Sequence, residues 1–425
     1  MNEAKELARM AEVDRDIVAT AKDLKVLSML SWPTGVQKQF LDAWHRGQPS
    51  LPEVRYSPVS LRPTRERLDN ARQELVRMDH PLAVFLAATA ESYVILCDLL
   101  GAIGTPDMLP HSLALYGSPT DSLSGGDVHN LDAARHFLDV SQEYYRQSTF
   151  QETDYCLPAE TLQRELAERL ETVFEPGLVK IEIDPNLVSK AAAGATSIRL
   201  RGGTCFTEYD AEQLLQHEAF VHSLTALNGR KQSRFRALGL PAPRTTGSQE
   251  GLATFAELVT GAIDINRMER IALRVIAIDH ALSGADFIDV FRFFLEQGQV
   301  EMESFNSTMR VFRGAPLTGG CAFTKDVVYL HGLMEVHTFF RWAMQHQRLE
   351  LCRYFFAGRM TISDVIRLAP LFQSGVLDQP TYLPPWMVRT NGLAGYLAFS
   401  VFANRITVTE LNEHHRFDRV TDIGM

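Results

Sequence analysis

Cysteine is scarce: Cys97, Cys156, Cys205, Cys321 and Cys352 are the five in 425 residues, and none is paired by a recognisable spacing. That scatter argues against a disulfide framework and against a cysteine-based metal site, and it fits a reducing, cytoplasmic setting. Positive charge is in deficit, since 42 Lys and Arg face 52 Asp and Glu for a net charge of −10. General nucleic-acid binding is therefore not expected, because phosphate contacts need clustered cations. Long apolar runs are also missing. The stretch 81–104 is broken by Glu91 and Asp98, and 392–403 is too short to span a bilayer, so both are expected as core helices and no membrane partner is expected. The opening residues MNEAKELARMAEVDRD mix acids and bases without an apolar core, so no secretory signal or lipid anchor is read there. No internal repeat is evident.

What is present is an ordinary globular composition, 45% hydrophobic and 22% charged, enough for one large domain or two to three smaller ones. Short helical patterns and a Pro-bearing connector (Pro49, Pro52, Pro58, Pro63) precede a helix expected over about 63–77. A soft boundary is placed near residue 70, dividing an N-terminal helical arm and connector, 1–70, from a larger domain, 71–425. Residues 117–130 read as a polar, Gly-rich loop, either a lid or, more in keeping with its composition, a surface excursion. The segments 178–184 and 196–203 alternate apolar and polar residues as half-buried strands do. Asp210 and Gln213 then offer a capping box for a helix that should end at Asn228-Gly229. Beyond residue 248 the pattern is mostly helical. The fold class expected is α+β, mainly helical, with one small sheet.

The stretch QHEAFVHS, 216–223, spaces His217 and His222 five apart, with Glu218 directly after the first. On a regular helix such residues diverge by about 140°. A π-bulge that takes in one extra residue restores an i, i+4 relation, to within roughly 40°, so that both imidazoles can meet one ion. A catalytic zinc normally takes three protein ligands. The stretch SQEGLATFAELV, 248–259, offers the third: Ser248 is expected to cap a new helix and Glu250 to lie in its first turn. Glu218 is then free to act as a base. Glu257, seven residues after Glu250 and so on the same face, reads either as a hydrogen-bond partner of a ligand histidine or as a surface carboxylate.

HEAFVH followed by SQEGLATFAE resembles the QEGLA-motif family, also described as a domain of unknown function with the HExxxH signature. The similarity extends to SWPTGVQKQFLDAW, LYGSP, TSIRLRGGTCFTEYDAEQLLQHEAFVHSLTALNG, FTKDVVYLHGL and LPPWMVRTNGL, and so covers most of the chain. Bacterial members are labelled flavohemoglobin expression-modulating QEGLA motif proteins. Animal relatives are microtubule-associated tyrosine carboxypeptidases, which look like zinc enzymes that remove the C-terminal tyrosine of α-tubulin. The resemblance implies zinc binding by His217, His222 and Glu250, with Glu218 as the catalytic acid/base, in a gluzincin-like metallopeptidase whose small mixed sheet lies beside the HExxxH helix. It does not carry over a substrate.

The expected activity is that of a zinc-dependent carboxypeptidase acting on a peptide or protein C-terminus, with Glu218 as general base for a metal-activated water. The oxyanion needs a further donor: Tyr329 is the first choice and His331 the second, and Lys325 in the same stretch is expected to bind substrate. His331, Glu335 and His337 form a weaker metal-binding pattern, expected to be structural. The acid-free stretch 228–247 holds Arg230, Lys231 and Arg244, which are expected to clasp the substrate carboxylate. The strand 197–201 is a further docking edge if it lies at the side of the sheet. Two alternatives use the same residues: a non-hydrolytic regulator with a vestigial or structural metal site, and a zinc hydrolase of a non-peptide amide. Glu218 separates the first of these from the peptidase, since a binding module has no need of a carboxylate there.

Overall fold

The computed structural model describes residues 3–403 apart from 23, 34, 57–59, 124–125, 148–155, 186 and 188–189. Pro58 of the connector and the middle of the polar loop lie outside the described residues. The described residues are mainly helical, as expected, with two small sheets where one was expected. The N-terminal helix Glu3–Ala21 packs on the helices Arg62–Leu75 and Pro81–Gly101. Its Met10, Val13 and Ile17 join one continuous core with the remainder of the chain, and the boundary expected near residue 70 falls inside the second of these helices.

Pro81–Gly101 is the one described helix long and apolar enough to cross a membrane. Leu82, Phe85, Leu86, Leu96 and Leu99 are buried within the protein, as expected for a core helix. The buried Asp14 carboxylate accepts from the backbone N–H groups of Arg236 and Ala237 at 2.9 Å each, fastening the N-terminal helix to the chain that follows the HEAFVH segment.

A three-stranded sheet lies beside that segment. Lys180–Asp184 runs parallel, and Ala191–Ala193 antiparallel, to Ser197–Arg201, which is the middle strand. Expected as a docking edge if it lay at the side, Ser197–Arg201 has neighbours on both sides, so its backbone groups are already committed to the ladder. Ser223 Oγ donates to Gly194 O at 2.7 Å and ties the sheet to the helical segment. A second, two-stranded sheet pairs Leu157–Pro158 with Cys205–Phe206. There Cys156 and Cys205 form a disulfide across a sequence separation of 49, correcting the expectation that all five cysteines are unpaired. The pairing is made by strand register, which no local spacing displays, and it removes the cysteine-based case for a reducing setting. Cys97, Cys321 and Cys352 are free and buried.

Candidate metal centre

The capping box sits three residues earlier than Asp210 and Gln213 suggest. Thr207 Oγ1 accepts from Asp210 N at 3.0 Å and Asp210 Oδ2 accepts from Thr207 N at 2.8 Å, starting the helix Glu208–Leu214. That helix widens into a π-helical segment, Leu215–Ser223, before resuming as Leu224–Lys231. The expected bulge is therefore real, and it turns the five-residue spacing into a shared face: the His217 and His222 rings stand 4.8 Å apart, nearly perpendicular at 84°. The helix does not stop at Gly229. A Cβ there would lie 2.3 Å from Leu238 O, so this glycine permits close backbone approach and is not a left-handed cap.

Glu250 comes from the helix Thr246–Thr260, which follows a short 3-10 turn. Thr245 occupies the N-cap position without a side-chain capping bond, its hydroxyl donating instead to Ala242 O at 2.8 Å, so Ser248 is not the cap and Glu250 lies beyond the first turn. What positions Glu250 is backbone contact between two helices. A Cβ on Gly251 would lie 2.3 Å from the carbonyl of Gly332, and one on Gly332 would lie 2.2 Å from Gly247 O, so Thr246–Thr260 and Val328–Gln345 cross as closely as glycine allows. The Thr225 hydroxyl, 2.7 Å from Gln249 Oε1, joins the first ligand helix to the second.

The three donors converge. Glu250 Oε2 lies 3.3 Å from His217 Nε2 and 3.4 Å from His222 Nε2, and one ligand atom from each residue falls within 4.8 Å of the others. Bonds of about 2.0–2.1 Å to a tetrahedral ion put neighbouring ligand atoms about 3.3–3.4 Å apart, so the two nitrogen–oxygen separations have the length such an ion requires. Glu250 Oε2 is buried and takes part in no hydrogen bond, a cost a protein seldom tolerates unless another partner is intended. Two imidazoles and a carboxylate are also the donor set zinc favours. The residues therefore fit a metal ion, and among the described residues theirs is the one such group.

The surroundings complete the set. His217 Nδ1 is 2.6 Å from Glu257 Oε1, and Glu257, fully buried, is also 3.2 Å from the Arg267 guanidinium. This is the carboxylate support expected of Glu257, aiming the Nε2 lone pair at the centre. Lys325 Nζ donates to Glu250 Oε1 at 3.0 Å. Burial alone raises the Glu250 pKa, yet Lys325 and the two imidazoles hold the carboxyl well below its ordinary range. Burial lowers that of His217, but the adjoining carboxylates of Glu250 and Glu257 push it up to about 10. An ion would have to displace that proton. Glu218 is half-buried and makes no hydrogen bond or ion pair. It is close enough to His217 to favour its charged form.

Tyr329 and His331 are two residues apart and so point about 200° apart around their helix. Tyr329 faces the centre's side, with Lys325, Arg267 and Arg274 all 5.4–5.8 Å from its ring. His331 faces away: it pairs with Glu335 at 3.4 Å and lines a cleft of about 700 Å³ with Arg244, Ser248, Tyr116 and Trp342. His337 packs near Phe255 and Tyr396 and joins no ligand group.

The basic stretch is largely committed elsewhere. Arg244 pairs with Asp364 at 2.7 Å, Lys231 donates to Tyr382 Oη at 2.6 Å and neighbours Glu175, and Arg230 is exposed at a helix end. None of the three is hydrogen-bonded to the ligand group. Sequence reading missed Arg267, Arg274, Arg310 and Asp326. They are spread over some sixty positions, and no motif links them. The near-regular spacing of Arg267 and Arg274, seven apart on one helix face, is the signal that was available.

A search of curated protein sequences finds no match. A solved structure of a protein described as a lipoprotein, from Colwellia psychrerythraea, shares 11% identity, covers 87% of this chain and 75% of its own, and superposes with a TM-score of 0.45. At that level too little geometry is shared for anything to pass between them. The family model of the microtubule-associated tyrosine carboxypeptidases, by contrast, matches residues 38–405, a span that takes in the π segment, the Glu250 helix and the crossing helix with Tyr329. This chain belongs to the microtubule-associated tyrosine carboxypeptidase family.

Proposed function

We propose that this chain is a zinc-dependent carboxypeptidase with a gluzincin-like centre, in which His217, His222 and Glu250 hold the ion and Glu218 is the general base. The observation that carries the reading is the buried Glu250 oxygen, within 3.4 Å of both imidazoles and without a hydrogen bond, beside a carboxylate that no other group engages. The family's description as a carboxypeptidase supports the same class of reaction.

When bound, zinc supplies Lewis-acid polarisation of the scissile carbonyl and acidifies a water. The protein supplies the remainder. Glu218 accepts the proton of the attacking water and returns it to the leaving amine. Glu257 holds His217 in the tautomer whose Nε2 is a donor to the ion. Lys325 keeps Glu250 ionised, and Tyr329, on the same side, is the candidate hydrogen-bond donor to the developing oxyanion. The proposed substrate is the C-terminus of a peptide or protein.

The test is Glu218→Gln. Zinc content by mass spectrometry should stay at about one per chain, while turnover on a C-terminal peptide library should fall by about 10²–10⁴-fold or more. Full activity in that variant would eliminate Glu218 as the base, and no shortening of any peptide by the wild-type zinc form would eliminate the peptidase.

A further inference from the structure

The ligand group sits beside an excess of buried cations. Arg267 faces Glu257, Lys325 faces Glu250, and Arg310 makes a two-pronged pair with Asp326, at 2.6 and 2.7 Å. Arg274 is different. Its guanidinium comes no nearer than 3.8 Å to Asp326, whose two oxygens Arg310 already engages, and no hydrogen bond to it is made by any described residue. Side-chain exposures of 18% for Arg274 and 15% for Lys325 leave both largely sunk in the protein, yet not closed off from a small group. Burial first, then repulsion from Arg310, pull the Arg274 pKa down to about 10. The group thus stays charged near neutrality, with Asp326 as a distant counter-charge that it shares with Arg310.

We propose that Arg274 is the receptor for the terminal carboxylate of the peptide substrate, with the Tyr329 ring as the wall beside the last residue. This rests on the carboxypeptidase reading. Arg274 and Lys325 lie 5.8 and 5.4 Å from the same Tyr329 ring, and Lys325 touches the metal-ligand carboxylate. A single residue spans at most about 3.6 Å of chain. Lys325 thus joins the ligand group to the ring that Arg274 borders, and a carbonyl held at the ligand group would direct the carboxylate of the next residue toward that ring. A planar fork with free N–H donors suits that carboxylate, since two parallel hydrogen bonds form at once. The site takes a free α-carboxylate and rejects its amide. This places the clasp on a helix face, in residues far in sequence from the basic stretch 228–247.

The experiment compares peptides ending in a free acid with the same peptides ending in a carboxamide, using zinc-loaded wild type, Arg274→Gln and Arg274→Lys. A second readout measures binding of N-acetyl-phenylalanine and of its amide by calorimetry. Wild type should prefer the acid by at least about tenfold in kcat/KM, a difference of about 1.4 kcal/mol. In Arg274→Gln that ratio should fall to near one, mainly through KM, with zinc content and melting temperature unchanged. Arg274→Lys should keep a reduced preference, because it retains charge without the fork. Calorimetry should find acid binding in wild type and its loss in the Gln variant.

An unchanged acid-to-amide ratio in a folded Arg274→Gln would overturn the assignment, as would a wild type indifferent to the terminal group. Should the Gln variant not fold, an Arg274→Lys ratio equal to wild type overturns it instead. Loss of all hydrolysis in the wild type alongside an Arg274-dependent preference for the acid in calorimetry would sink the peptidase reading and leave this site standing.

Discussion

Two buried regions of this protein are built on opposite terms. In one, Phe40, Phe287, Phe291 and Phe305 interlock, with ring centroids 4.9–5.5 Å apart around Phe40, and Trp32 and Trp44 close the cluster. In the other, His217, Glu250, Glu257, Arg267, Lys325, Asp326 and Arg310 form a set of charged contacts that is sunk in the protein but less deeply than the rings. The aromatic cluster gains from leaving water, so each ring contributes and neighbours can adjust. The charged chain pays to leave water and holds only while each member keeps its partner. What the contrast teaches is where the proposed function would sit: the apolar region stabilises, and the charged one carries a cost that the candidate metal centre would explain.

The contrast can be broken in either region. The largest effect is expected from Phe291→Ala, which removes a fully buried ring and should cost about 3–5 kcal/mol in urea unfolding. Zinc stoichiometry should remain at one per chain; a loss of zinc would mean the two regions are not separable. Next is Gly251→Ala, whose methyl group meets backbone and not a flexible side chain. Overpacking of that kind costs about 1–3 kcal/mol, and because the helices must part, Glu250 moves and zinc affinity should drop as well. A zinc titration as tight as wild type would show that the crossing does not position the ligand. Glu257→Gln should weaken zinc binding about 10–100-fold, read by competition with a chelator, and lower stability further by leaving Arg267 without its counter-charge. The smallest effect is expected from Thr207→Ala, at about 1 kcal/mol by urea unfolding. Zinc affinity should be nearly unaltered, because the cap starts the helix nearly three turns before His217.

Several features were legible because their cause is local. The five-residue histidine spacing demands a π-bulge if both rings are to face one ion, and Leu215–Ser223 is π-helical. Glu257, two turns after Glu250, does reach His217. The alternation in 178–184 and 196–203 marks strands Lys180–Asp184 and Ser197–Arg201. Where the reading failed, the cause lies across the chain. Thr207 outcompetes Asp210 as a cap because the strand Cys205–Phe206 ends just before it. Arg244 looked free in an acid-free stretch, yet Asp364 approaches it from a helix 120 residues away.

By itself the sequence determined the ligand types, their order and the face each would take on its own helix, since those follow from backbone periodicity and donor chemistry. Only the tertiary structure decided which cations are consumed by partners and which remain available. Charge neutralisation depends on who arrives within about 4 Å, and here Asp364, Glu175, Glu250 and Asp326 arrive from separate elements. Arg274 is left with its donors unspent for the same reason: Arg310 reaches Asp326 first.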